Sequence, residues 1–234
     1  MPVRPASTVI AFRKESGTPE VLMVRRGESA DFLGGAHVFP GGAVDQSDHS
    51  DVAVRAVRLE GDPAERPWRA AALRELAEEA GILVTDPPLT VGDAQGPGIY
   101  ESVMRCGAVL LADRLEYLSN WVTPLGPPRR YDTRFFVTIL PDPDQARSDD
   151  VEVFDAIWVA PAEALRRAER GEWYVEFPTR RHLELLAGFS TAVDVLDHAR
   201  STTPQRVEPR LVVGADGSWQ VLLPGDPGFD EGAT

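Results

Sequence analysis

Strand-like segments dominate the first two thirds of the chain. Runs of β-branched, aliphatic and aromatic residues are bounded by polar, glycine- or proline-containing turns, a pattern typical of β-strands. The first two runs flank a polar turn and predict a hairpin. A third is interrupted by Pro40-Gly41-Gly42, where two glycines permit close backbone approach. The predicted strands cover residues 7–12, 21–25, 37–42, 120–124, 133–140 and 151–159.

Helical periodicity is found in the middle and near the end of the chain. Ala72, Leu73, Leu76 and Ala80 fall on one side of a helix that we expect to end at Gly81, a residue suited to the left-handed conformation. Further helices are predicted near residues 52–59 and 103–112, from Pro161 onward and over 179–200, with a C-terminal β-hairpin at 210–213 and 219–223.

The helix before Gly81 also carries three glutamates, Glu75, Glu78 and Glu79, on a second side. Like charges three and four residues apart repel by roughly 0.2–0.5 kcal/mol per pair, and the C-terminal end of a helix disfavours anions further. Arg74 is the local cation that can offset them. Two interpretations follow: an ordinary solvated acidic face, or carboxylates held together to bind a hard divalent cation such as Mg²⁺ or Mn²⁺.

Composition and charge narrow the function classes. The chain has 234 residues, 43% of them hydrophobic and 26% charged, which is typical of a globular protein with a substantial core. Its formal net charge of −13 argues against nucleic acid as a partner, because binding to a phosphate backbone requires a basic surface. A small phosphorylated substrate is still compatible, since a metal ion and a few arginines can reverse the local field.

Cysteine content and hydropathy bear on location. Cys106 is the one cysteine, which excludes an internal disulfide and a cysteine-based zinc site, and without an evident base partner we expect it to be inert. No apolar run approaches a membrane span, and the N-terminal residues lack the apolar segment of a secretory signal. We therefore expect no membrane association and a cytoplasmic location.

One motif combines the glycine pair with the acidic helix. FPGG at residues 39–42, followed by RELAEEAGI at residues 74–82, resembles the box of the Nudix hydrolase family, G-x5-E-x7-R-E-U-x-E-E-x-G-U, where U is aliphatic. The second half matches at every specified position. The resemblance therefore favours the metal interpretation of the three glutamates.

The first half of the box departs from the pattern. Gly42 and Arg74 are 32 positions apart, about 18 more than the box allows, so we expect an insertion at about residues 45–66. The box glutamate that usually braces the arginine falls at Asp48 when counted from Gly42, and beside Glu65 when counted back from Arg74. Asp45, Asp48 and Glu65 are all candidates to brace Arg74.

The interrupted box, together with GAHVFPGG at residues 35–42, WVTP at 121–124 and RRYDTRFF at 129–136, resembles one branch of the family. That branch contains the animal peroxisomal coenzyme A diphosphatase and its bacterial relatives, and the resemblance covers roughly residues 7–190. Residues 232–234 form no peroxisomal address, which agrees with a cytoplasmic enzyme of the bacterial type.

The resemblance implies a fold and a domain organisation. The fold is the α+β Nudix fold, a mixed β-sheet sandwiched between α-helices (α/β/α). We expect a Nudix domain over residues 1–200, with a helical part at about 161–200, and a C-terminal tail with a hairpin over 201–234.

The resemblance also implies an activity, the metal-dependent hydrolysis of the diphosphate of a nucleoside diphosphate linked to another group, with Mg²⁺ or Mn²⁺ as cofactor. Coenzyme A or acyl-coenzyme A, giving 3′,5′-ADP and 4′-phosphopantetheine, is the leading substrate. The alternatives are ADP-ribose or a dinucleotide, or a non-catalytic module that binds a nucleotide.

The family's metal ligands carry over to Glu75, Glu78 and Glu79, with a backbone carbonyl near Gly41 or Gly42 as a further ligand. Glu78 and Glu79 are the leading direct ligands, whereas Glu75 either binds the metal or orients water. Arg74 would orient and partly neutralise the cluster.

The remaining candidates lie outside the box. Glu152 is the first candidate for a general base, ahead of Asp149, Asp150 and Asp155. Arg129, Arg130 and Arg134 could bind phosphate through paired hydrogen bonds, or pair with surface acids. His37 is a candidate substrate contact, with a structural role as the alternative. Trp173, Tyr174 and Phe177 are suited either to stacking on a base or to a core or homodimer interface.

Overall fold

The computed structural model describes residues 2–13, 18–27, 34–94, 98–140, 153–213 and 219–229, with the backbone alone at 153, 154 and 219. The strands are β1 (Arg4–Phe12), β2 (Val21–Arg26), β3 (His37–Val38), β4 (Gly41–Ala43), β5 (Val57–Arg58), β6 (Thr85–Asp86), β7 (Val109–Leu111), β8 (Glu116–Val122), β9 (Tyr131–Ile139), β10 (Val153–Val159), β11 (Arg206–Val207), β12 (Arg210–Val213) and β13 (Trp219–Leu222). The helices are α1 (Asp51–Ala56), α2 (Arg66–Ala80), α3 (Ile99–Arg105), α4 (Pro161–Glu169), α5 (Phe177–Leu186) and α6 (Ala192–Ser201).

The centre of the fold is a mixed sheet in the order β10-β2-β1-β9-β8-β11, with β3 added to β2 and β4 added to β1. β1 pairs with β9 in parallel along its whole length, and β11 pairs with β8 in parallel, whereas the other pairs are antiparallel. The hairpin of β1 and β2 confirms the prediction for the first two strands.

The two faces of the sheet are covered by different helices. Side chains alternate along β1, so Val9 and Ala11 face one core while Ile10 and Phe12 face the other. α2 packs on the first face with α1 and α3, and α4, α5 and α6 pack on the second. This arrangement confirms the α/β/α fold.

The predicted insertion is folded and packed. Ser50 caps α1 by accepting a hydrogen bond from the Ala53 amide at 3.1 Å. Ala53, Ala56 and Val57 are buried in the core beneath α2. β5 then joins β6 and β7 in a separate three-stranded sheet. The segment between the two halves of the box is therefore part of the core.

Two helix predictions were wrong in their extent. The helix expected over residues 103–112 is α3, which ends near Gly107 (φ 70°), and the next residues form β7. The helix expected over 179–200 is divided into α5 and α6. α6 begins because Thr191 and Asp194 form a reciprocal capping box, which satisfies the first amides of a new helix.

The C-terminal residues return to the main sheet. β11 forms the edge of the sheet and pairs with β8, with Arg206 opposite Asn120 and Val207 opposite Trp121. β12 and β13 form the predicted hairpin, in which Leu211 lies opposite Val221. None of the helices in the described ranges has the length and apolar character needed to cross a membrane.

Candidate active site

α2 combines a core helix with a charged group. Its alanines and leucines pack against the sheet, and Gly81 ends it in the left-handed conformation (φ 66°), as the sequence predicts. Arg74 and Glu79 are buried with the apolar residues rather than exposed to solvent. Buried charges require partners, so the contacts of these two side chains define the site.

Arg74 is braced by Asp48. Its Nε and Nη2 atoms donate to the two carboxylate oxygens of Asp48 at 2.9 and 3.1 Å, and Nη2 also donates to the Ala43 carbonyl at 3.0 Å. Asp48 is 1% exposed, and its carboxylate also accepts hydrogen bonds from the Tyr100 hydroxyl at 2.5 Å and the Asp45 amide at 2.8 Å. Asp48 therefore occupies the position that the box assigns to its glutamate.

The other two candidates for that position are engaged elsewhere. Glu65 pairs with Arg69 at 2.8 Å and with Arg134 at 3.7 Å. Asp45 accepts hydrogen bonds from the amide and hydroxyl of Ser47, which lower the pKa of its carboxyl.

Arg74 also links two of the glutamates. Its Nη1 donates to Glu75 at 2.7 Å and to Glu78 at 2.8 Å. Burial would lower the pKa of Arg74, but Asp48, Glu75 and Glu78 together raise it, so the guanidinium stays charged. Burial raises the pKa of Glu75, and the charges of Glu78 and Asp48 act in the same direction against the opposing effect of Arg74. The negative charge of Glu75 is thus only partly offset by Arg74.

Glu79 is held by the glycine pair. The Gly41 amide donates to its Oε2 at 2.8 Å, and the Arg26 guanidinium lies 3.7 Å from Oε1. The close pairing of β4 with β1 requires glycine at position 41, because a Cβ there would lie 2.4 Å from the Ser7 carbonyl oxygen. At Gly42 a Cβ would lie 2.5 Å from a carboxylate oxygen of Glu75. The two halves of the interrupted motif are therefore in direct contact.

The donor set suits a hard cation. Asp48, Glu75, Glu78 and Glu79 together carry more negative charge than Arg74 and Arg26 can neutralise. Among the described residues, no group of three or more acidic, histidine or cysteine side chains is already arranged as a complete metal site. Glu75 and Glu79 face the cleft, whereas Glu78 is 53% exposed and turned toward Arg74. The carboxylate oxygens that could hold a divalent ion are those of Glu75 and Glu79, with Glu78 alongside.

These carboxylates line one end of a cleft of about 570 Å³, a volume suited to a small molecule. The glycine pair and Arg26 lie at the same end. The rest of the wall is largely apolar and comes from β8, the loop after it, the start of α5 and the C-terminal hairpin. These residues include Trp121, Val122, Pro124, Pro127, Phe177, Pro178, Pro209, Leu211 and Val221.

Of the three predicted phosphate-binding arginines, Arg129 lines this cleft. Arg130 is buried and donates to the carbonyls of Thr123 and Pro124 at 2.9 and 3.1 Å and to Glu208 at 2.7 Å. Arg134 stacks over the Trp68 ring at 4.0 Å, in a separate hollow of about 340 Å³. The positions of these two side chains argue against contact with a substrate in the main cleft, because one binds the C-terminal segment and the other lies outside the cleft wall.

His37 has a structural environment. Its ring is buried, stacks on Trp173 at 4.0 Å between centroids and does not contribute to the cleft wall. Burial lowers its pKa to about 4, with Arg25 and Arg167 adding to the effect against Asp155. The geometry favours the structural alternative for His37.

Of the four candidates for a general base, Asp155 lies among the described residues. Glu152, Asp149 and Asp150 lie outside the described residues. Asp155 forms an ion pair with Arg25 at 2.9 Å and does not line the cleft.

Of the aromatic cluster, Phe177 lines the cleft, whereas Trp173 stacks on His37 and Tyr174 is exposed.

Sequence reasoning missed Arg26 and the place of the C-terminal hairpin in the cleft wall. The pairing of β2 with β3 beside the glycine pair determines the position of Arg26, and no local motif marks it. The hairpin itself was predictable, but its place in the cleft wall depends on contacts with β8 and the loop after it.

Fold and site together define the class: an α/β/α protein whose carboxylate-bearing helix lies at one end of a small-molecule cleft. A family model for the NUDIX domain matches residues 2–177, about three quarters of the chain. The chain therefore belongs to the Nudix family and is a Nudix hydrolase.

Several known proteins resemble the chain over most of its length. The acyl-coenzyme A diphosphatase NUDT19 of Gallus gallus is 28% identical, with 91% of this chain and 73% of the relative covered. The protein of the same name from Homo sapiens is 27% identical, with 95% and 79% covered. A NUDIX hydrolase from Alicyclobacillus acidocaldarius superposes with a TM-score of 0.70 and 30% identity, covering 87% of this chain and 98% of its own.

Proposed function

We propose that this Nudix hydrolase is a divalent-metal-dependent diphosphatase acting on coenzyme A or acyl-coenzyme A. The observation that carries the proposal is one continuous cleft, with Glu75 and Glu79 at one end and a largely apolar wall along the rest. Coenzyme A has the matching layout, a diphosphate between a nucleotide and a long, partly apolar arm. The similarity of the chain to two NUDT19 proteins, which are acyl-coenzyme A diphosphatases, supports this substrate.

The chain's carboxylates would hold Mg²⁺ or Mn²⁺ through Glu75 and Glu79, with Glu78 as the third proposed ligand. The bound ion supplies charge neutralisation of the diphosphate and a lower pKa for an attacking water. Glu78 would have to turn from Arg74 toward the cleft to join the other two. A backbone carbonyl at Gly41 or Gly42 is proposed as a further ligand, beside the Gly41 amide that donates to Glu79.

Arg74 would act as a positioning residue. Held by Asp48 on one side, it orients Glu75 and Glu78 on the other and keeps their carboxylates from repelling each other apart. Arg26 and Arg129 line the cleft and could each donate to phosphate oxygens. We retain Glu152 as the proposed general base, which would take a proton from the attacking water. The water oxygen would bond to one phosphorus of the diphosphate as the bond from that phosphorus to the bridging oxygen breaks, giving 3′,5′-ADP and 4′-phosphopantetheine or its acyl form.

The decisive experiment is a substrate panel with product chromatography. Purified protein with Mg²⁺ or Mn²⁺ is incubated with coenzyme A, acyl-coenzyme A, ADP-ribose, NADH and a dinucleotide. We expect 4′-phosphopantetheine from coenzyme A, and we expect EDTA to abolish the reaction. Turnover confined to ADP-ribose or a dinucleotide would overturn the substrate and leave the hydrolase class intact.

A pair of variants tests the site itself. Glu79→Gln keeps the size of the side chain but removes its charge, so we expect activity to fall by at least about a hundredfold, as for loss of a main electrostatic group. Glu169→Gln, an exposed change on α4 outside the cleft wall, is the matched control. Full activity of Glu79→Gln would refute the metal mechanism. The cytoplasmic location and the homodimer stay predictions.

A further inference from the structure

The C-terminal hairpin forms part of the cleft although it lies beyond the residues that the family model matches. That match ends at residue 177, yet Pro209, Leu211 and Val221 all line the cleft. The remaining wall comes from residues within the matched range or just after it. The hairpin therefore contributes to the cleft from outside the range that the family model matches.

The hairpin is attached by specific contacts. The Glu208 carboxylate, just before β12, accepts a hydrogen bond from Arg130 at 2.7 Å. Arg130 is in turn fixed by the carbonyls of Thr123 and Pro124. β11 pairs with β8 on the same side, and the Arg210 guanidinium lies over the Phe229 ring at 4.5 Å. The Arg130–Glu208 hydrogen bond and the pairing of β11 with β8 hold the start of β12 beside the loop between β8 and β9, while the Arg210 contact links β12 to the residues after β13.

Two side chains of the hairpin present one apolar surface. Leu211 and Val221 are direct cross-strand partners, so their side chains project from the same face of the hairpin. Leu211 also approaches the loop closely, since a Cβ at Gly126 would lie 3.5 Å from its Cδ1. Trp121 and Pro124 line the same cleft. This end of the cleft is therefore lined mainly by aliphatic, proline and aromatic side chains, with Thr123 and Arg129 of the same loop as polar members.

The chemistry of the two ends differs in a way that orients a substrate. The end with Glu75, Glu79 and Arg26 is charged and suited to phosphates with a cation. The surface that the hairpin itself adds carries no charge, so an ionised phosphate placed against Leu211 and Val221 would lose hydration there without a partner on the hairpin. Arg129, on the neighbouring loop, is the nearby cleft-lining cation. An alkyl chain gains instead, by about fourfold in affinity for each methylene removed from water.

We propose that the C-terminal hairpin determines acyl-chain specificity, with Leu211 and Val221 binding the alkyl part of an acyl-coenzyme A substrate. The inference rests on the proposed function, because it assumes that the diphosphate lies at Glu75 and Glu79. It assigns Leu211 and Val221 as specificity residues that contact substrate away from the reacting atoms.

The test compares chain-length dependence in wild type and variants. The kinetic constants kcat and KM are measured for coenzyme A, acetyl-, hexanoyl- and octanoyl-coenzyme A. In wild type KM is expected to fall as the chain lengthens. Leu211→Ala and Val221→Ala are expected to raise KM for the octanoyl ester about fivefold or more, with KM for coenzyme A within twofold and kcat unchanged. Val213→Ala is the matched control, since Val213 lies on the same hairpin, is 60% exposed and does not line the cleft.

A second variant distinguishes a loss of specificity from a loss of hairpin structure in the alanine variants. Leu211→Phe keeps apolar area but narrows this end, so the octanoyl ester should be discriminated against while coenzyme A is still turned over. An equal loss for every substrate, a larger loss for free coenzyme A, or a wild type without chain-length dependence would each overturn the inference. If wild type hydrolyses no coenzyme A compound at all, the proposed function itself fails. This outcome is obtained from the wild-type protein alone and does not depend on any variant.

Discussion

Asp48 and Arg74 share two hydrogen bonds, of 2.9 and 3.1 Å, across a folded segment of the chain. In the uninterrupted box the corresponding acid and arginine are close in sequence. Here α1 and β5 lie between them in sequence, and the contact is nevertheless formed in the core. The additional residues therefore follow Asp48, and the extra segment preserves the brace. Tyr100, on α3, also donates to Asp48.

The first prediction concerns this pair. Asp48→Asn leaves a buried guanidinium without its main counter-charge, so the free energy of unfolding should fall by about 3–5 kcal/mol. Activity should fall as well, because Arg74 no longer holds Glu75 and Glu78 in place. Urea unfolding and turnover of coenzyme A measure the two effects. Glu60→Gln, an exposed change in the same segment, should stay within about 0.5 kcal/mol of wild type. Wild-type stability in Asp48→Asn would show that the pair does not brace the site.

The second prediction separates the two glycines. At Gly41 a Cβ would meet backbone, the Ser7 carbonyl oxygen at 2.4 Å, which cannot move without disturbing β1. At Gly42 it would meet the Glu75 carboxylate, which can turn away. Gly41→Ala should therefore fold poorly, whereas Gly42→Ala should fold but lose about tenfold or more in activity. Thermal unfolding and Mn²⁺ titration distinguish the two, and equal behaviour of the variants would contradict the assignment.

Much of this site could be predicted from sequence, because the features that define it lie close together along the chain. Helical periodicity and Gly81 determine α2, and the spacing within the box identifies its glutamates. Counting forward from Gly42 reaches Asp48 correctly, because the additional residues come after it. Counting back from Arg74 crosses those residues and ends beside Glu65, which pairs with Arg69 and Arg134 instead.

What could not be predicted depends on tertiary contacts. Alternation along β9 separates Arg134 from Phe135, which lines the cleft, but it does not tell which face bears the site. Arg130 resembles a phosphate ligand until Glu208, 78 residues later, is seen to bind it. The division of the last helical segment follows from the capping box at Thr191, where apolar periodicity alone predicts one continuous helix.

The third prediction concerns the pH dependence of the metal-free protein. The pKa of Glu75 is raised by burial, so over the pH range just above the ordinary carboxyl pKa the folded state holds a proton that the unfolded state has released. Stability should therefore fall as pH rises through that range. Glu75→Gln should remove this loss, unfold at a temperature equal to or above that of wild type without metal, and show no stabilisation by Mn²⁺. A variant less stable than wild type at neutral pH would contradict the argument.

The last prediction concerns two buried histidines on the acid side. The pKa of His37 is lowered to about 4, mainly by burial, and that of His182 is also lowered to about 4 by burial against a weaker opposing effect of the Pro178 carbonyl. The His182 ring is fixed in one tautomer, because Nδ1 lies 2.7 Å from that carbonyl and must donate to it, which leaves Nε2 to accept from Ser119 at 2.7 Å. Both rings are thus neutral in the folded protein at pH values where the unfolded chain is protonated.

The direction of the change in stability with pH follows from the number of protons bound in the folded and unfolded states. Between pH 6.5 and about 4 the unfolded state binds more protons at these positions, so stability should fall on acidification by up to about 1.4 kcal/mol per pH unit for each histidine. His37→Phe keeps a ring against Trp173 and should remove one of the two contributions. Urea unfolding at pH 7, 6 and 5 measures the slopes, and comparing the variant with wild type cancels the contribution of the carboxylates. Parallel slopes for wild type and His37→Phe would show that His37 is protonated equally in both states and is not held neutral by burial.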